Sequence, residues 1–381
     1  MKSTRAALNL TVYVALAASL PATLCRAADS ATTTTWLKLS PATSPSARSG
    51  PGMAYDPAQK LIVLFGGAAI GHNPDYLNDT WTFNGTTWAQ LALAASPPPR
   101  QQPGMAYDPA QKLIVLFGGA AIGHNPQVLN DTWTFNGSAW TELDPAASPS
   151  PRQEPGMAYD YAAKRVVLFG GIGRGSTALL DTWTWNGTTW AKRQPANSPT
   201  SFPATQLFIG PKNGHADLFT LTSAGLPQTW QWNGSDWVLL SPANSPPARA
   251  EAAATLDNAT GQAILYGGVT ISNQPLTDTW AWDGANWPQL SPSTNPGPVE
   301  DAGALYDTQL KGIVMFAGEE TGLTWGWIGS NWVQLAAAKS PPVFFDWGIA
   351  PNPANGLPVI FGGAGGANSP TDGTWEFVAK Q

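Results

Sequence analysis

Four arginines fall in one column of this chain, and a row of acidic side chains follows two residues behind them. With the repeating segments aligned, the column holds Arg48, Arg100, Arg152, Thr200, Arg249, Val299 and Phe344. The second row holds Gly50, Gln102, Glu154, Phe202, Glu251, Asp301 and Asp346. A guanidinium offers a fixed fork of N–H donors that matches a carboxylate or neighbouring sugar hydroxyls, and a carboxylate nearby can pair with it or serve as a general base. Residues two apart in a strand share a side, so Arg152 with Glu154, and Arg249 with Glu251, are expected as near neighbours. Two roles are open to this column. Either the charges pair with one another and with exposed backbone, or the arginines receive the acidic or hydroxyl groups of a ligand.

Other candidates are fewer. Trp347 stands at the start of the last segment, where its counterparts are read as Gly or Ala, and is the aromatic best placed to touch a ligand. His72 and His124 could act as metal ligands or bases, but Pro51 to Pro74 is identical to Pro103 to Pro126, so duplication copied the histidine with its surroundings. His215 is expected in a turn. The chain carries no HExxH, no Gly-rich loop ending in Lys-Ser/Thr, no GxSxG between strand and helix and no Asp-rich calcium loop. No catalytic residue, metal site or cofactor is therefore assigned.

The elements that position these residues are announced by tryptophan. Pairs seven residues apart recur at Trp81 and Trp88, Trp133 and Trp140, Trp183 and Trp190, Trp230 and Trp237, Trp280 and Trp287, and Trp325 and Trp332. Trp375 opens a further pair and Trp36 stands as a second member alone. Between Pro103 and Leu143 four apolar or alternating runs are visible, Gly104 to Tyr107, Leu113 to Phe117, Asp131 to Phe135 and Trp140 to Leu143, read as antiparallel strands A to D. Asn136-Gly137 suits a tight C-to-D hairpin, and Gly118-Gly119 ends strand B. Counting B-strand endings, with a degenerate one at His215 to Leu221, gives seven units. Thr32 to Pro41 is a D strand without a unit, and the last unit lacks its own D strand, so the N-terminal strand is expected to complete the C-terminal unit.

An apolar run ending in Gly-Gly, followed by two aromatics seven apart, resembles the kelch repeat over essentially the whole of residues 32–381. The resemblance implies an all-β fold, a seven-bladed kelch-type β-propeller in one domain closed by the N-terminal strand, similar to the propeller of galactose oxidase. It also implies that strand A is innermost, which would set the arginine column around the mouth of the central channel, on the end bearing the D-to-A and B-to-C connections. Connections on that end vary while the opposite hairpins are uniform, and variable loops on a rigid scaffold are where binding resides. Copper oxidases of this fold need two Tyr, two His and a Cys bonded to one Tyr; Cys25 is the single cysteine here and precedes the expected cleavage point. The expected role is a protein- or glycan-binding scaffold. The alternative is a sugar epimerase or mutarotase with Glu154 or Glu251 as base and neighbouring arginines holding the substrate.

Composition narrows the setting. Lys2 and Arg5 precede an apolar stretch from Ala6 to about Leu20, which reads as a signal peptide over residues 1–27 and an exported, secreted or periplasmic protein. Lipidation at Cys25 is disfavoured by Leu24 before it. A net charge of -6 with no run of basic residues argues against nucleic acid as a partner. No later stretch is apolar enough for a membrane span, and a monomer is expected.

Overall fold

The computed structural model describes residues 33–380 apart from 70–74, 122–126, 200–205, 210–213, 223, 271, 301, 318–322, 336–340, 342–344 and 365–369. Seven four-stranded antiparallel sheets form the seven blades of a β-propeller. Blade 2 is representative, with strands Gly104–Asp108, Leu113–Phe117, Thr132–Phe135 and Trp140–Leu143 in the order A to D. The blade repeat and its strand order agree with the sequence reading. One boundary moves: strand C begins at Thr132, and Asp131 stands just before it with its side chain turned to another task.

Blade 7 is assembled from both ends of the chain. Thr33–Leu39 pairs along its full length with Thr374–Lys380, which places Trp36 opposite Phe377. The expected closure is therefore present.

Each strand B is buried on both sides, because the hydrophobic core lies in the seams between blades. Val314 and Phe316 of blade 6, for example, share one cluster with Ile360, Trp375, Phe377 and Trp36 of blade 7. The second Trp of every pair fills such a seam and makes one further bond. Its indole Nε1 donates to the hydroxyl of the Thr immediately before the first Trp on strand C of the preceding blade, at 2.8–2.9 Å in all seven seams. A buried indole N–H usually finds an acceptor, and the Thr-Trp dipeptide carried by every strand C supplies it here.

Inner strands approach closely enough to exclude side chains at particular positions. A Cβ on Gly52 would clash with Met105, one on Gly104 with Met157 and one on Gly348 with Met53. Each methionine thus leans into the glycine of the previous blade. This register also moves Trp347 by one place: Gly348, opposite Phe361, is the counterpart of Gly52, and Trp347 takes the place of Pro51.

Blade 4 departs from the others in charge. Asp217 occupies the strand B position held by Val63, Val115, Val167, Ile264, Val314 and Val359, and it is fully buried. It accepts hydrogen bonds from Trp282 Nε1 at 2.7 Å and Gln231 Nε2 at 3.0 Å. Burial pushes its carboxyl up to about 6, against the lowering effect of those two bonds. His215 precedes this strand and meets Asp160 of blade 3 at 2.9 Å.

The raised value fixes the sign of a pH effect. An acid whose folded value lies above its unfolded one contributes most to stability while protonated in both states, and that contribution is lost as pH rises through about 6. Asp217→Asn is expected to raise unfolding free energy by roughly 1–3 kcal/mol at about pH 7.5 and by nothing at about pH 4. Urea melts of the two proteins at both pH values check this; an equal effect at the two would refute it.

Candidate functional site

The four aligned arginines are wholly buried, and each closes a clamp inside its own blade. Arg100 holds both oxygens of Asp131, at 2.6 and 2.5 Å, and donates to the carbonyls of Gly118 at 2.9 Å and Pro98 at 2.9 Å. Arg48 does the same with Asp79, Gly66 and Ser46, Arg152 with Asp181, Gly170 and Ser150, and Arg249 with Asp278, Gly267 and Pro247. Each aspartate also accepts from the first Trp of its pair, at 2.6–2.7 Å. Burial raises Asp79, Asp181 and Asp278, but the arginine bonds and charge, together with the indole bond, outweigh it and hold these carboxyls below their usual range. Their contribution to stability is therefore present at neutral pH and lost only in strong acid, the opposite sign to Asp217.

The clamp sits where three segments meet, the D-to-A connection, the end of strand B and the start of strand C. Its backbone reaches further. Arg100 N donates to Leu77 O and Arg100 O accepts from Gly67 N, both in blade 1, while the side chain clamps blade 2. Arg152 repeats this between blades 2 and 3, and Arg48 between blades 7 and 1. Gly67, at φ +105°, can present its N–H there because it has no Cβ.

The expected Arg–Glu neighbours are thus replaced by other partners. Arg152 bonds Asp181 rather than Glu154, and Arg249 bonds Asp278 rather than Glu251. The reason is backbone conformation. Glu154 and Glu251 lie in the left-handed region, at φ 53° and 58°, ahead of strands that begin at Gly156 and Ala253. Strand alternation does not run through them, so the arginines turn into the wall while the second row stays inside. Gln102 N donates to Gly50 O and Glu154 N to Gln102 O, linking that row from blade 1 to blade 3 along the inner strands.

Of the remaining candidates, Trp347 is half-buried and packs edge-on against Phe316 of blade 6, with ring centres 5.6 Å apart. Asp346 lies in strand Phe345–Pro351. Asp301, Phe202, Phe344, His72, His124 and Cys25 lie outside the described residues, as do residues 1–27. Among the described residues no three His, Cys, Asp or Glu side chains converge to hold a metal ion, and no helix is long and apolar enough to cross a membrane.

Asp79, Asp131, Asp181 and Asp278 escaped sequence reasoning, although a signal exists. An aspartate stands two residues before the first Trp in every blade with an arginine, and in no other. Where Thr200, Val299 and Phe344 replace the arginine, Gln228, Leu323 and Gly373 replace the aspartate.

These features define a seven-bladed β-propeller with clamped loop bases. The chain is similar to a solved fungal alcohol oxidase of the AA5 family, determined in complex with copper, at TM-score 0.61 and 12% identity over 92% of this chain and 77% of that one. The resemblance to the galactose oxidase propeller holds at the level of fold. No protein-family profile and no curated protein sequence matches the chain. The described residues do not assemble a copper site: His215 is committed to Asp160, between blades 3 and 4, and no metal-binding cluster accompanies it.

Proposed function

We propose that this chain is an exported kelch-type scaffold that binds a protein or a glycan on the end carrying its D-to-A and B-to-C connections. The clamp carries the reading. It fixes both kinds of connection at their bases and ties them to the neighbouring blade, and binding loops gain affinity when their ordering is completed in advance. Gln102 and Glu154 stand in the linked inner row of that end, Glu251 takes the same alignment position, and these would meet the ligand. The enzymatic alternative needs arginines to hold a sugar, and the four aligned ones are engaged by their aspartates.

A glycan-array and small-acid screen of the full chain, run beside Glu154→Gln/Glu251→Gln, tests the placement. Capture of a ligand that weakens at least about tenfold in the variant, while melting temperature holds, is the expected result. Capture indifferent to both substitutions would move recognition off this end.

A further inference from the structure

The seam between blades 3 and 4 differs from the other six. In strand D the third residue after the second Trp is Leu39, Leu91, Leu143, Leu240, Leu290 or Leu335, and in blade 3 it is Arg193. The first residue of strand B is Leu61 or Leu113 in blades 1 and 2, and Arg165 in blade 3. The ladder puts both arginines on one face of the sheet. Arg193 pairs with Thr182 and its Nε donates to Thr184 Oγ1 at 2.8 Å, Thr184 pairs with Val167, and Arg165 is two residues from Val167. Val167 packs with Trp232 of blade 4, so this face looks into the seam.

Among its described residues that seam holds two cations without a counter-charge and one indole N–H without an acceptor. Neither arginine has an ion-pair partner among the described residues. Asp160, the cross-strand partner of Arg165, is held by His215 instead. Burial, followed by the nearby positive charge of Arg165, draws the Arg193 guanidinium below its ordinary value, which puts the two cations within electrostatic reach of each other. Across the seam Trp232 is fully buried and its Nε1 finds no partner. One seam further on, the equivalent indole of Trp282 donates to the carboxylate of Asp217, which takes the ladder position of Val167.

We propose that this seam is an oxyanion site on the flank of the propeller, distinct from the loop-bearing end, where Arg165 and Arg193 take a sulfate, phosphate or carboxylate group. Both side chains are partly exposed, so the group can enter from solvent. Two guanidiniums supply the fork geometry that tetrahedral and planar oxyanions accept. The group arrives either as a free ion or on an acidic glycan.

Titration calorimetry on the full chain, at fixed ionic strength, with inorganic phosphate, inorganic sulfate, glucuronate and a sulfated oligosaccharide, tests this. The comparison proteins are Arg165→Leu/Arg193→Leu, whose residues are those of blades 1 and 2, and Lys192→Gln on the opposite face of the sheet. Binding that drops about tenfold or more in the double variant and holds in Lys192→Gln is expected. Saturation by phosphate or sulfate alone identifies a free ion, and binding confined to glucuronate or the sulfated oligosaccharide identifies a glycan-borne group. No binding of any probe, or binding unchanged in the double variant with its melting temperature intact, overturns the proposal.

Discussion

Asp131→Ala is expected to destabilise the propeller by about 3–5 kcal/mol, because it leaves the Arg100 guanidinium buried without its counter-charge. It also removes the acceptor of the Trp133 indole, whose bond is 2.7 Å. Blade 6 shows how the same place is built without charge: Val299 and Leu323 stand where Arg and Asp would be, both within or against one apolar cluster. Arg100→Val combined with Asp131→Leu should therefore recover most of the loss, since a buried ion pair replaced by apolar residues is often neutral or better. A residual deficit of about 1–2 kcal/mol would come from the stranded Trp133 N–H, and Trp325 of blade 6 already has that defect. Urea denaturation of the single and double variants decides it. A double variant as unstable as Asp131→Ala would show that the clamp contributes more than the balance of one buried charge.

Trp36→Ala should be comparably severe, at about 3–5 kcal/mol, with Trp36→Phe losing only about 1 kcal/mol. Trp36 is buried in the last seam, edge-on to Phe316 and Phe377 with ring centres 5.6 and 5.4 Å away, and bonded to Thr324. Alanine empties that space and weakens the strand that completes blade 7. Its unfolding transition by tryptophan fluorescence should remain single while shifting to lower urea. A shift no larger than that of Trp36→Phe would mean that strand pairing with Thr374–Lys380, and not seam packing, carries the closure.

The architecture was legible because it is written in spacing. Tryptophans seven apart, Gly-Gly at the ends of strand B and an unmatched N-terminal strand give blade number and closure from the residues alone. The arginine column was legible as an alignment and misleading as a site. Strand alternation predicts that Arg152 and Glu154 share a side, whereas Glu154 takes a left-handed turn that breaks the period. The covariation of arginine with an aspartate about thirty residues later would have assigned the clamp, and the Thr before each first Trp would have assigned the indole acceptor. The carboxylate of Asp217 was not legible in the same way. It sits in the blade that lost its Gly pair, where the repeat no longer sets the register.

The bond from each second Trp to the Thr of the previous blade always points in one rotational sense. Every blade consequently carries one donor for the neighbour behind and one acceptor for the neighbour ahead, so the contact is head-to-tail and its closure depends only on the angle between blades. A copied blade arrives already fitted to both neighbours, whichever they are. The identity of Pro51 to Pro74 with Pro103 to Pro126 is what such interchangeability permits: a blade can be copied with its donor and acceptor already in place, and only the angle between blades has to adjust.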